Sequence, residues 1–427
     1  MDKFILRGGK RLAGTVAISG SKNGALPLMA AALLTRGVTT LRNAPYLRDI
    51  QTMSNVLRVI GARVYGGPQT IKIDTTHCNH LEAPYDLVKT MRASFYVLGP
   101  LLARYGRVRV SLPGGCAWGP RPVDLHLKGL EALGADIQVT HGYVEATAPR
   151  LIGGTFKFDT VSVGATANLV MAATLAKGVT RLINTAQEPE VTFLVRTLNK
   201  MGARIRETVD GLEIRGVSSL HPVDIRVIPD RIETGTFMAA ATLCGGKITM
   251  RNCPVEHIAS TLIAFEKTGA ILTARGNTVT VQGPRRVRPL KISTAPYPGF
   301  PTDLQAQMMA VLSMADGTSI ITDTIYHDRF THVPELNRLG ADIQLQDNAA
   351  VIQGVKKLSG AQVMATDLRA SAALVIAGLR ADGETHLSRV YHIDRGYEKI
   401  EEKFRGLGAS IVRSLDGPVE PATPADM

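Results

Sequence analysis

Two short phrases recur six times along this chain at one period, and that repetition restricts the fold more than any other feature. The first, of the form xGAxI, appears as "IGARV", "LGADI", "MGARI", "TGAIL", "LGADI" and "LGASI", around Gly61, Gly134, Gly202, Gly269, Gly340 and Gly408. The second, an apolar stretch followed by a glycine and an alternating segment, passes through Gly37, Gly106, Gly178, Gly246, Gly317 and Gly383. Neighbouring glycines in either series stand 66 to 73 residues apart. Two markers keeping one period indicate a single supersecondary unit used six times. Each copy reads as strand, helix, glycine C-cap, strand, helix, "GA" turn, then strands of period two such as "ADIQVTHGYVEAT". The fold class is therefore α/β, with six βαβαββ-type repeats. Because the unit is longer than a common solenoid repeat, the six are expected to group into compact domains, three and three. The boundary is expected near Pro229–Asp230.

Composition narrows the function. Of 427 residues, 45% are hydrophobic and 20% charged, the balance of an ordinary soluble protein. The opening "MDKFILRGGK" has too short an apolar run for a secretory signal, and "ASAALVIAGL" is far short of a membrane span. A cytoplasmic location is the expectation. Cys78, Cys116, Cys244 and Cys253 form no CxxC pair, which argues against a disulfide framework and a structural zinc site. The "HCNH" at His77 to His80 has no second ligand cluster. The formal charge of +12 favours anionic partners. Aromatics are only 5% and no Lys/Arg block occurs, so small phosphorylated substrates fit better than nucleic acid.

The repeat also aligns positions for comparison. Just ahead of the apolar helices stand "SGSKNGALP", "KTMRASFYV", "VSVGATANL", "DRIETGTFM", "PTDLQAQMM" and "TDLRASAAL". Small and capping residues are expected there. Capping does not account for Lys22, Arg92 and Arg369 at these starts, nor for Asp303. A helix N-terminus already favours an anion, and an added cation strengthens that preference. Asp303 is the odd member, a carboxylate suited to taking a proton. Weaker candidates are Arg329 in "IYHDRFTHVPEL", Arg395 in "YHIDRGYEKI", and "EPE" at Glu188 to Glu190. "SLPGGCAWGPRPVDLH" places Cys116 among three glycines and three prolines, where no regular element can run.

The segments "SGSKNGALP", "PGGCAWGPRPVDLH", "SVGAT", "PDRIETGTF", "FPTDLQAQ", "RFTHVPEL", "ATDLRASAAL" and "YHIDRGYEKI" closely resemble the bacterial UDP-N-acetylglucosamine enolpyruvyl transferases, to about residue 412. The resemblance implies two inside-out α/β barrel domains of three repeats each, with the active site in the cleft between them. It assigns 22–229, with the cysteine loop 111–122, to the first domain, and 1–21 with 230–412 to the second. The remainder, 413–427, reads as a disordered tail. The implied reaction moves the enolpyruvyl group of phosphoenolpyruvate onto the sugar 3-hydroxyl and releases phosphate, at the start of peptidoglycan synthesis. The implied catalytic residues are Cys116 as proton donor, Asp303 as the base-like residue, Lys22 and Arg395. Phosphoenolpyruvate contacts are implied at Lys22, Asn23, Arg121, Arg329, Arg369 and Arg395. UDP-N-acetylglucosamine contacts are implied at Asn23, Arg92, Arg121, Pro122, Val123, Asp124, Leu125, Val161, Ser162, Val163, Gly164, Asp303 and Ile325. No metal, organic cofactor, nucleic acid or membrane insertion is implied. Some relatives carry lysine where this chain has Thr160, so Arg92, Arg121 and backbone donors are left to hold the nucleotide. The Cys116 thiol is further implied to be the target of the epoxide fosfomycin. The alternative is the sister enzyme acting on shikimate 3-phosphate, which lacks the cysteine loop.

Overall fold

The structure is a computed structural model that describes residues 2–113 and 123–415. The chain divides into two compact units. One, the inserted unit, comprises Ser19–Arg231 with Pro296–Gly299; the other, the flanking unit, comprises Met1–Ile18, Ile232–Ala295 and Phe300–Met427. Each has its own continuous apolar core.

Among the described residues there are six four-stranded sheets, three in each unit, and all share one strand pattern. Lys291–Ser293 runs parallel to Thr318–Thr322, which pairs antiparallel with Ala349–Gln353, which pairs antiparallel with Asp342–Gln346. The parallel pair is joined through a buried helix, here Gln305–Leu312, because a parallel connection needs a crossover. A second helix, Val333–Arg338, leads into the closing hairpin. Strands alternate buried and exposed residues, as in Thr278–Gln282 where Val279 and Val281 face the core.

Three sheets are completed by strands distant in sequence. Asp224–Arg226 pairs with Val38–Arg42 at the start of the inserted unit. Asp2–Arg7 fills the position between Glu384–Ser388 and Ser410–Leu415 in the flanking unit. Leu12–Ala17 pairs with Gly246–Arg251, so the inserted unit interrupts this repeat between its first strand and its first helix.

All twelve marker glycines have positive φ, from 74° at Gly106 to 136° at Gly317. The period thus records the turns that L-residues with side chains resist. One detail differs from the sequence reading. Gly106 caps the helix Leu98–Tyr105, but Gly178, Gly317 and Gly383 lie beyond their helix ends and open the next strand. Residues 413–415, assigned above to the tail, belong to a strand. Ser410–Leu415 is a strand on Asp2–Arg7, and Arg413 pairs with Asp394 at 2.6 Å and Glu401 at 2.8 Å, which offsets the entropy of ordering it. Residues 416–427 lie outside those described.

The first helix of each repeat is buried nearly all round, as in Lys22–Ala31, Val163–Ala173 and Leu368–Arg380. The second is amphipathic: Arg48–Val59 buries Ile50, Met53, Val56 and Leu57 at helical spacing. No described helix is long and apolar enough to cross a membrane.

Candidate active site

The buried helices start with side-chain caps, and the candidate residues stand beside them. In the inserted unit the Ser21 hydroxyl accepts the Gly24 amide at 3.1 Å, which places Lys22 at the first helical position. Lys22 is buried, and its Nζ donates to Asp49 Oδ2 at 2.9 Å. Asn23 follows, half-buried. Arg92 opens the 3-10 turn Arg92–Val97, which runs directly into Leu98–Tyr105. The Ser162 hydroxyl accepts the Ala165 amide at 3.3 Å, so Val163 and Gly164 form the first turn of their helix while Val161 is exposed. Val123 precedes the helix Asp124–Glu131; Asp124 is exposed, with Lys128 3.8 Å away, and Leu125 is half-buried. A Cβ on Gly164 would stand 3.2 Å from His126 Nε2, so the segments around 123–125 and 161–164 adjoin through His126.

The flanking unit holds the tighter cluster. Asp303 lies in the 3-10 turn Thr302–Leu304 that leads into Gln305–Leu312. Its Oδ1 is 2.8 Å from Arg329 Nη1, and its Oδ2 accepts Arg369 Nη2 at 2.8 Å and Nε at 3.2 Å. Both arginines are buried, whereas the Asp303 side chain is 27% exposed. Arg369 is fixed by its helix start, where the Asp367 carboxylate accepts its amide at 2.7 Å. Arg329 also donates to Thr302 Oγ1 at 2.9 Å. Burial alone would raise the Asp303 carboxyl, but the Arg369 and Arg329 guanidiniums outweigh it and hold the group well below the usual carboxylate range. In this arrangement Asp303 is a firm acceptor and a weak base. Ile325 lies in the same unit, its amide donating to Asp323 Oδ1 at 2.9 Å, and Arg395 ends the turn Val390–Arg395, half-buried.

The structure thus brings Asp303, Arg329 and Arg369 into one group, while Lys22 meets Asp49, which was not among the sequence candidates. Cys116, Arg121 and Pro122 lie outside the described residues. Sequence reasoning also missed Asp323, a fully buried carboxylate that accepts Thr294, Thr302 and the amides of Ile325 and Tyr326. Nothing in "ITDTIY" marks it. Glu190 of "EPE" pairs with Arg231 at 3.0 Å, a structural tie. Among the described residues no three His, Cys, Asp or Glu are grouped to hold a metal.

The architecture is that of the enolpyruvyl transferases. It superposes on the enolpyruvyl transferase NikO from Streptomyces tendae with a TM-score of 0.89 at 28% identity, covering 97% of this chain and 99% of that one. EPSP synthase from Acinetobacter baumannii shares the fold, with a TM-score of 0.77 at 18% identity over 97% of this chain and 100% of the other. The model of the EPSP synthase (3-phosphoshikimate 1-carboxyvinyltransferase) family matches residues 6–404, and the chain belongs to that family. Two similar relatives within the family are named UDP-N-acetylglucosamine 1-carboxyvinyltransferase. The protein of that name from Geobacter metallireducens is 57% identical, and the one from Myxococcus xanthus 53%, each match covering 97% of this chain and 99% of the relative.

Proposed function

We propose that this protein transfers the enolpyruvyl group of phosphoenolpyruvate to the 3-hydroxyl of UDP-N-acetylglucosamine, the first committed step of peptidoglycan synthesis, in the cytoplasm. The observation that carries the reading is Asp303 held between two buried arginines, in a chain 57% identical over nearly its whole length to a protein named for this reaction. Each unit, with three buried helices inside and three sheets outside, fits the inside-out α/β barrel.

The chemistry is addition followed by elimination. The sugar 3-oxygen bonds to C2 of phosphoenolpyruvate while an acid, Cys116, gives a proton to C3. The adduct then returns a C3 proton to the Cys116 thiolate left by the addition as the C2–O bond to phosphate breaks, leaving the enolpyruvyl ether and inorganic phosphate. Lys22, Arg121 and Arg395 neutralise the phosphate and carboxylate, with Arg329 and Arg369 beside Asp303. A carboxylate bound by two guanidiniums takes a proton poorly, so Asp303 first orients the hydroxyl. As the anionic substrate draws on Arg329 and Arg369, the Asp303 carboxyl returns toward its ordinary range and becomes a base. The nucleotide-sugar is held by Asn23, Arg92, Arg121 to Leu125, Val161 to Gly164 and Ile325.

The alternative acceptor is shikimate 3-phosphate, the substrate in the description of the matched family model. Phosphate release from phosphoenolpyruvate, measured with each acceptor separately, decides between them. Release with UDP-N-acetylglucosamine alone is expected; release only with shikimate 3-phosphate, or with neither, overturns the proposal.

A further inference from the structure

The three segments assigned above to the nucleotide-sugar meet at one buried carboxamide. Asn168 has no solvent exposure and lies on the helix Val163–Ala173, which begins with Val163 and Gly164. Its Oδ1 accepts the Gly99 amide at 2.7 Å. Its Nδ2 donates to the Phe95 carbonyl at 3.2 Å, and stands 3.0 Å from His126 Nδ1. Phe95 belongs to the turn that Arg92 opens, Gly99 to the helix continuing it, and His126 to the helix that Asp124 and Leu125 begin. One side chain therefore ties together the carriers of Arg92, of Val123 to Leu125, and of Val161 to Gly164.

The hydrogen-bond directions follow from the donors. A backbone N–H can only donate, so the Asn168 oxygen must face Gly99 and the NH2 must face the other two partners. His126 Nδ1 is then an acceptor, and its proton resides on Nε2. That Nε2 lies 3.2 Å from the place a Cβ of residue 164 would occupy, so the ring closes against the backbone of the candidate site. Phe95 meets the His126 ring edge-on at 5.2 Å and fixes its plane. Burial, with the Arg92 charge adding to it, pushes the imidazolium down to about 3, so the ring is neutral at working pH. The neighbouring glycines serve the same convergence: a Cβ on Gly99 would collide with Asn168 Oδ1, and one on Gly129 with the Leu169 side chain.

We infer that Asn168 is a positioning residue for the nucleotide-sugar, setting the relative places of its three binding segments and the tautomer of His126. This rests on the proposed function, and the tests separate the two. Wild-type protein with selectively 15N-labelled histidine should show His126 as the Nε2–H tautomer by NMR; an Nδ1–H tautomer overturns the inference without any variant. Asn168→Asp can accept from Gly99 but cannot donate to Phe95 or His126. It should raise KM for UDP-N-acetylglucosamine about tenfold or more, the scale of one or two lost buried hydrogen bonds, and move the His126 proton to Nδ1. KM for phosphoenolpyruvate and kcat at saturating nucleotide-sugar should change less than about threefold, a split that general destabilisation does not produce. A folded Asn168→Asp with wild-type KM for the nucleotide-sugar, or with both KM values raised alike, refutes the inference. If Asn168→Asp does not fold, His126→Phe, which keeps a ring but removes the Nδ1 acceptor that Asn168 meets, should give the same KM split; its absence also refutes it. Failure of the wild type to bind UDP-N-acetylglucosamine in calorimetry would instead remove the functional reading, leaving the tautomer assignment standing.

Discussion

An alkylating reagent applied to the native protein should label one cysteine, Cys116. The other three thiols are suppressed twice over. Burial pushes Cys78 and Cys253 up to about 11 and Cys244 up to about 12. At pH 8 such thiols are about one part in a thousand, or one in ten thousand, thiolate, against about a quarter for an ordinary cysteine. The higher-pKa thiolates are each about tenfold to fortyfold more nucleophilic, so chemistry alone leaves them about 20-fold to 60-fold slower. Access slows them further. Cys78 is 8% exposed, Cys244 7% and Cys253 2%, so reagent must wait for local opening. Iodoacetamide or fosfomycin should therefore add one equivalent to the native chain, and iodoacetamide four after unfolding in guanidinium. Intact mass and peptide mapping give the count and the site. Cys116→Ser should abolish native labelling, while Cys116→Asp should keep turnover, since a carboxylic acid can also give a proton, yet resist the epoxide. Native label on Cys78, Cys244 or Cys253 at a rate within tenfold of Cys116 would refute the reasoning.

Asp303→Asn should cut turnover by about 100-fold or more while changing binding of UDP-N-acetylglucosamine far less, because shape is kept and charge removed; near-wild-type turnover would sink the assignment. Arg369→Lys should raise KM for phosphoenolpyruvate about tenfold, since one ammonium cannot replace the Nε and Nη2 donors that both reach Asp303; an unchanged KM in steady-state kinetics counts against the pairing. Asp74 is held down to about 2, chiefly by the Thr76 hydroxyl and amide and then by Arg63. A depressed carboxyl contributes stability above its unfolded value, which is lost as pH falls through the folded one. Urea unfolding should therefore show the wild type losing stability between about pH 4 and pH 2 more steeply than Asp74→Asn; parallel curves would remove Asp74 from the account.

What the sequence made legible was what the backbone requires locally. Gly61 and its eleven counterparts recur because each turn needs positive φ, a demand met by residue type and therefore visible in letters. The capping residues expected ahead of the apolar helices are also present, with Ser21, Ser162 and Asp367 accepting amides of their first turns. Convergence of side chains is another matter. Asp303 meets Arg329 and Arg369 across 26 and 66 residues, and Asn168 meets His126 across 42, distances set by how the buried helices pack against one another. A repeat announces that such helices exist and says nothing of which polar group on one faces which on the next. The period did point to where those groups start, since Lys22, Arg92, Asp303 and Arg369 all stand at the openings of first helices. The buried partners do not: Asp49 begins a second helix, Asp323 follows a strand, and Asn168 lies mid-helix among apolar residues, where only its being polar is odd. A buried, fully bonded amide in an otherwise apolar helix is costly to place unless all its partners are met. That cost is the physical reason an Asn buried within "ATANLVMAA" acts as a joint between segments.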